Sequence, residues 1–376
     1  MQIPPAVLEV HQCLKGAGYR AYLVGGCVRD HVLGKQPKDF DLATSAKPDQ
    51  VIAVFKKVIP TGIQHGTVTV LMQGHHVEVT TFRSEGDYVD GRRPATVSFH
   101  TDVEADLARR DFTINAMAED PATGELVDPF GGRDDLKAKL VRCVRDPLER
   151  FGEDGLRCMR AVRFATILDF EIEPQTLAAI PARLDVFTKV AMERVRDELL
   201  KTLGSPHVAR GLELLKRTGL LREIFGAEDV DPDAVARAPA SLRLAVLLRQ
   251  LKAKPDRLKL SSAETEHLAR LLAERVPAER DDVGLRRWLS RIGTAVARDL
   301  ATLDAPELGA RLDLLATHPL TLKDLALKGP DLMAALGTGP GPAVGKAQRF
   351  LLDQVLQRPE LNTPEELRAL LAGWKP

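Results

Sequence analysis

The spacing of hydrophobic positions changes character near residue 140. Before it, short apolar runs of strand type alternate with turns: AYLVGG at 21–26, DFDLAT at 39–44, TVTVLM at 67–72 and HVEVTTF at 76–82. Helical stretches such as CVRDHVLG (27–34) and PDQVIAVFKKV (48–58) lie between them. Gly74, between TVTVLMQ and HHVEVTTF, marks a hairpin turn, so the sheet is at least partly antiparallel. After residue 140 the strand signal ends. The remainder is rich in Leu, Ala and Arg at helical spacing, punctuated at SPH (205–207), DVDPDAVARAPAS (229–241) and THPLTLKD (317–324). The pattern predicts an α+β chain: an N-terminal part with a mixed β-sheet and helices, then an all-α remainder.

At 376 residues the chain is too long for one compact core. No apolar run approaches the roughly 18 residues that cross a bilayer. The start, MQIPPAVLEVHQCLKG, lacks the basic and apolar regions of a signal peptide, and the expected location is cytoplasmic. Cys13, Cys27, Cys143 and Cys158 form no C-x-x-C pair, so four reduced thiols are expected. Neither a membrane association nor an obligate protein partner is indicated.

Lys+Arg and Asp+Glu balance at 53 each, which argues against a generally basic nucleic-acid coat but hides segregation along the chain. Residues 241–300 carry 13 basic against 8 acidic groups, including Arg243, Arg249, Lys252, Lys254, Arg257, Lys259, Arg286, Arg287 and Arg291. Helical faces there could track phosphates, or simply be solvated. GTGPGPAVGK (337–346) resembles a phosphate loop only superficially. It has no G-x-x-x-x-G-K-[ST] register, and it reads as a turn and helix start.

Three features point to chemistry. A strand ends at Gly25-Gly26 and a helix follows at once, a geometry that brings backbone N–H groups close to an anion. In Asp39-Phe40-Asp41 the period of two puts both carboxylates on one face of a strand, where a divalent ion completed by phosphates would hold them together. Glu78 could join them if its strand lies alongside. Further on, Glu153, Asp154 and Arg157 fall within one helical turn, so Asp154 and Arg157 (i, i+3) project together. In isolation such a pair is a surface salt bridge. As a reader of bases, the carboxylate accepts from the exocyclic amine of cytosine or adenine while the guanidinium donates to the neighbouring ring atom. Uracil and guanine place a carbonyl where that amine belongs.

These segments resemble the class II tRNA nucleotidyltransferase and bacterial poly(A) polymerase family. GGCVRDHVLGKQPKDFDLAT looks like its motif A, ARRDFTINAMA (108–118) motif B, DPFGGRDDL (128–136) motif C, GEDGLRCMRAVRFA (152–165) motif D and ERVRDEL (193–199) motif E. The resemblance implies a nucleotidyltransferase head (1–138), a helical neck that recognises the base (139–205), and a helical body (206–316) and tail (317–376) that bind RNA. It implies that Asp39 and Asp41 bind Mg2+, with Glu78 alongside. It also implies that Arg110, Asp111 and Asn115 sit by the ribose and phosphates, that Asp154 and Arg157 read the base, that Gly25, Gly26, Arg29, Glu153, Arg160 and Arg163 belong to the same nucleotide-binding site, and that Arg194 and Arg196 brace the motif D helix. Asp128, Gly131 and Gly132 resemble the joint between head and neck.

The implied reaction moves CMP and AMP from CTP and ATP to a tRNA 3′ end with release of pyrophosphate, by two metal ions. TTFRSEGDYVDGRRPATVSF (80–99) resembles the loop of CCA-adding and A-adding members, which disfavours CC-only addition. TGIQHGTVTV stands where poly(A) polymerases carry a G-R-R-F-like signature. CCA and A-only addition share all these motifs. A catalytically dead RNA-binding relative would have lost a metal carboxylate, and a small-molecule nucleotidyltransferase would not need the helical half.

Overall fold

The computed structural model describes residues 2–85 and 97–374. The chain forms two compact units, Met1–Leu244 with Arg257–Lys259, and Ala245–Asp256 with Leu260–Pro376.

The first unit opens with α1 (Pro5–Gly16), whose Ala6, Val7, Val10 and Leu14 form one buried stripe at helical spacing. Then come β1 (Ala21–Val24), α2 (Gly26–Val32), β2 (Asp41–Thr44), α3 (Pro48–Val54), β3 (Val58–Gly62), β4 (Thr67–Met72) and β5 (His75–Thr81). In β4 and β5 the β-branched residues Val68, Val70, Val77 and Val79 are buried, while Thr69 and Glu78 take the opposite face. Their connection is the two-residue turn Gln73-Gly74, both at positive φ (49° and 79°), the type I′ geometry that a Gly at the second position permits. β6 (Arg83–Glu85) and β7 (Val97–Phe99) form a small antiparallel pair. α4 (Val103–Ala108), β8 (Ala118–Glu119), β9 (Leu126–Val127) and α5 (Gly132–Ala138) complete the head.

The seven-stranded sheet runs β3-β4-β5-β2-β1-β8-β9. It is mixed, because β2 lies parallel to β5 while its other pairs are antiparallel. Val24, Ala43, Phe82, Val103, Leu107, Ala116, Ala118 and Val144 form one core over it.

Strand structure does not stop entirely at residue 140. β10 (Leu140–Val141) pairs in parallel with β11 (Glu171–Ile172), a two-residue clasp around α6 (Pro147–Glu153) and α7 (Leu156–Leu168). α8 (Pro174–Ala182), α9 (Leu184–Phe187) and α10 (Met192–Leu203) follow, and α10 packs on α7.

The second unit is helical among its described residues. Its helix Pro342–Gln357 buries Ala347, Leu351 and Val355 against Leu332, Leu367 and Leu371. The Gly/Pro stretch before it is a helix stop and start: Gly337 at φ 63° ends one helix and Pro342 opens the next. Several of the cations grouped at 241–300 already have partners within the protein. Arg286 is 5% exposed and donates to the carbonyls of Leu356 (2.7 Å) and Gln357 (2.9 Å). Arg287 pairs with Asp353, Arg291 with Glu274 and Arg249 with Asp304. In the first unit, Arg243 donates to the carbonyls of Leu203 and Ser205. Among the described residues no helix is long and apolar enough to cross a membrane, and all four cysteines are free.

Candidate active site

The end of β1 fixes one wall of the site. Its last residue, Val24, pairs with Asp41, the first residue of β2, and Asp41 is in turn the register partner of Glu78 on β5. The two strands are therefore neighbours, and Asp41 and Glu78 sit side by side. Asp39 is not part of the ladder: β2 begins at Asp41, opposite Val24 where β1 ends. Asp39 lies in the exposed extended segment leading into β2. It is near enough for its charge to act on Asp41.

Asp41 is held above the usual carboxylate range. Although its side chain is exposed to solvent, the protein packed around it desolvates it and contributes most to the rise, Arg110 opposes it and Asp39 adds to it. Glu78 is raised too, by burial first and then by Asp41. Carboxylates that disfavour each other's ionised forms suit a divalent cation. Among the described residues no three His, Cys, Asp or Glu side chains are gathered tightly enough to hold one alone. A hard ion here would draw further oxygens from phosphate and water.

Gly25 has φ 75°, and a Cβ built there would meet Arg110 Nη1 at 2.8 Å. Its missing side chain seats the guanidinium beside Asp41. Arg110 is held from the other side by Asp106, a fully buried carboxylate at the end of α4 that also binds Arg109 at 2.8 Å. α2 has only seven residues, so arginines rather than a long helix dipole supply most of the positive potential.

Together these residues line a cavity of about 420 Å³ that also takes in Gly26, Arg29, Asp111, Asn115, Asp154, Leu156, Arg157, Arg160, Arg163, Phe164 and Arg194. Seven arginines and three aspartates face it. Four more carboxylates, Asp30, Asp106, Glu153 and Glu198, grip guanidiniums of that wall. Arg29 donates to Asn115 Oδ1 (2.8 Å), and Asn115 donates to Asp111 Oδ1 (3.2 Å). Asp111 also accepts from Arg160 at 2.7 Å. Burial alone would raise the Asp111 carboxyl, but Arg160 and the hydrogen bonds from Arg160 and Asn115 outweigh it and hold it low. Three guanidiniums surround the Phe164 ring, with Arg163 at 3.9 Å, Arg160 at 5.3 Å and Arg29 at 5.4 Å from its centroid.

At the motif D segment the expected continuous helical turn is broken. α6 ends at Glu153, Asp154 is extended (φ −140°, ψ 106°), and α7 begins at Leu156. Gly155 follows the break, and a Cβ there would lie 2.7 Å from the backbone of Phe187, so only glycine lets the chain pass. Asp154 consequently does not pair with Arg157. It accepts from Leu156 N–H (3.0 Å) and from both terminal nitrogens of Arg194 on α10 (2.7 and 3.3 Å). Arg157 is 8% exposed, paired with Glu153 and donating to the carbonyls of Arg150 and Arg109. Asp154 and Arg157 still reach the same cavity, from either side of the break. Arg196, expected to brace motif D alongside Arg194, instead binds Asp197 and the carbonyl of Lys259.

Residues 21–142 match the family described as the poly A polymerase head domain, and residues 169–232 the one described as a probable RNA and SrmB-binding site of polymerase A. A CCA-adding enzyme of Geobacillus stearothermophilus is 37% identical over 97% of this chain and 95% of its own length. The chain belongs to the CCA-adding enzyme family. Another member, from Limosilactobacillus fermentum, is 39% identical over 92% of this chain and 90% of its own. Among solved structures, the Bacillus stearothermophilus CCA-adding enzyme in complex with CTP aligns at TM-score 0.83 and 33% identity, covering 98% of both chains.

Of the residues expected from the sequence, the cavity of this CCA-adding family member brings together Gly25, Gly26, Arg29, Asp41, Arg110, Asp111, Asn115, Asp154, Arg157, Arg160 and Arg163. Asp39, Glu78 and Glu153 are not in its lining. Arg109, Leu156 and Phe164 were not singled out from sequence, although Arg109 stands inside motif B and Leu156 and Phe164 inside motif D. The 80–99 segment falls largely outside the described residues.

Proposed function

We propose that this chain is a CCA-adding tRNA nucleotidyltransferase: it transfers CMP and AMP from CTP and ATP to a tRNA 3′ end and releases pyrophosphate. The observation that carries this reading is one cavity lined by the Asp41 carboxylate and Arg110 together with Asp154 and Arg157. Kinship over nearly the whole chain to CCA-adding enzymes supports it.

A poly(A) polymerase reading is not favoured by these relatives. The guanidiniums of Arg29, Arg109, Arg110 and Arg160 would hold the triphosphate. Asp41 and Asp39, with Glu78 next to Asp41, would hold divalent metal, Mg2+ in this proposal, which lowers the barrier at the attacking hydroxyl and the leaving pyrophosphate when bound. Asp154 accepts from the amine of cytosine or adenine, and Arg157 donates to the adjacent ring atom. Against uracil or guanine, acceptor meets acceptor at a cost of about 1–3 kcal/mol. The helical body (206–316) and tail (317–376) would hold the tRNA, and the working location is the cytoplasm.

The test is extension of tRNA lacking its terminal nucleotides with CTP, ATP or both, followed by sequencing of the 3′ ends. CCA ends are expected. Addition of A alone, and only to a preformed CC end, would replace this reading with A-only addition.

A further inference from the structure

We propose that Phe164 is a positioning residue for the triphosphate, whose ring draws Arg29, Arg160 and Arg163 together and leaves N–H groups of the set to donate to phosphate oxygens. The proposal rests on the reading of the cavity as a nucleotide site given above.

Among the described residues that line the cavity, Phe164 alone is aromatic. It is 7% exposed, and the fully buried Phe112 meets it in a T-shaped pair with centroids 5.7 Å apart, which fixes the plane of the ring. The central carbon of each guanidinium lies within about 6 Å of its centroid, the reach of a cation–π attraction: Arg163 at 3.9 Å, Arg160 at 5.3 Å and Arg29 at 5.4 Å. Arg29 comes from α2 and the other two from α7. Each already has one carboxylate, Asp30 for Arg29, Asp111 for Arg160 and Glu198 for Arg163.

Three like charges around one ring repel each other. Burial holds the Arg163 guanidinium below the usual arginine range; Glu198 opposes this and Arg160 adds to it. A further carboxylate would relieve the repulsion, but it would also cancel the positive potential and repel phosphate. An aromatic ring attracts the cations through its quadrupole and carries no net charge. Nor does it use up donors. Arg160 spends Nε and Nη2 on Asp111, and Arg163 spends Nε on Glu198, so Arg160 Nη1 and both terminal nitrogens of Arg163 have no partner among the described residues. Both arginines line the cavity, and these are the donors left for phosphate oxygens.

The experiment replaces Phe164 by phenylalanine carrying one, two or three ring fluorines, which drain the negative face stepwise while the shape barely changes. CTP, ATP and pyrophosphate are titrated calorimetrically into each full-length protein, with Phe164→Tyr and Phe164→Leu alongside. The expected result is a stepwise rise in Kd along the fluorine series, about tenfold at three fluorines and alike for all three ligands. Phe164→Tyr should stay within about twofold of wild type, and Phe164→Leu should lose at least as much as the ring with three fluorines. Constant Kd along the fluorine series, with loss confined to Phe164→Leu, would overturn the proposal, since packing alone would then account for the residue. Should Phe164→Leu fail to fold, the fluorine series, which keeps the ring, decides by itself. Wild-type protein that binds neither CTP nor pyrophosphate would remove the nucleotide-site reading, an outcome distinct from a flat fluorine series.

Discussion

Asp41 and Glu78 are direct register partners across the parallel pair of the main sheet, two carboxylates side by side on adjacent strands. Among the described residues no guanidinium forms an ion pair with either of them. Their proximity is costly in the free protein and useful once a divalent cation is supplied.

The proposed mechanism makes catalysis depend on Asp41 more than on its neighbours. Asp41→Ala is expected to lower turnover by at least about a thousandfold, the scale of losing several kcal/mol of metal-derived stabilisation. Affinity for tRNA should be unchanged in a filter-binding or polarisation titration. Chelation of divalent metal should stop the wild-type reaction, and re-addition should restore it.

The same pair predicts an inverted stability effect. A carboxyl whose folded-state pKa lies above its unfolded value contributes stability when protonated, and that contribution is lost as pH rises through the folded value. Asp41 and Glu78 are both of this kind. In metal-free buffer at neutral pH, Asp41→Asn and Glu78→Gln should each melt at a higher temperature than wild type. The difference should vanish as the pH falls below the ordinary carboxylate range, about 4. Added divalent cation should raise the melting temperature of wild type and leave Asp41→Asn nearly where it was.

At the base-reading end, Asp154→Asn replaces one of two acceptors with a donor. The amide can then meet the carbonyl of uracil by turning over. Preference for CTP over UTP should fall roughly five- to a hundredfold, measured as relative kcat/KM, with little change in tRNA binding.

Gly25 is a steric test of how Arg110 is seated. Gly25→Ala places a Cβ at 2.8 Å from the guanidinium and keeps a positive φ that alanine tolerates poorly. The backbone term alone costs about 1 kcal/mol. KM for both CTP and ATP should rise together, because the displaced arginine faces phosphates common to both. A change confined to one nucleotide would contradict this placement.

Much of this was legible in the sequence because it is local. The alternation that aims Glu78 away from Val77 and Val79, the Gln73-Gly74 hairpin and the Gly25 turn each follow from a few adjacent residues. What escaped was set by distant partners. Spacing alone gave Asp154 and Arg157 a shared helical turn, since nothing near them reveals that the backbone of Phe187 passes within reach of Gly155. Arg286 looked like surface charge at helical spacing, yet it is buried on the carbonyls of Leu356 and Gln357, some 70 residues on. Asp39 fell outside the ladder because β2 begins two residues later, at Asp41.

The arginines of the cavity have a last consequence. Each has a carboxylate partner, Asp30, Asp106, Asp111, Glu153, Asp154 or Glu198, so the set is rigid before any nucleotide arrives. In the proposed reaction the freed pyrophosphate leaves against the same paired guanidiniums that held the triphosphate. Its departure should pace each cycle and quicken with ionic strength. Pyrophosphate supplied in excess should re-enter and run the chemistry backwards, shortening the ends the enzyme has built.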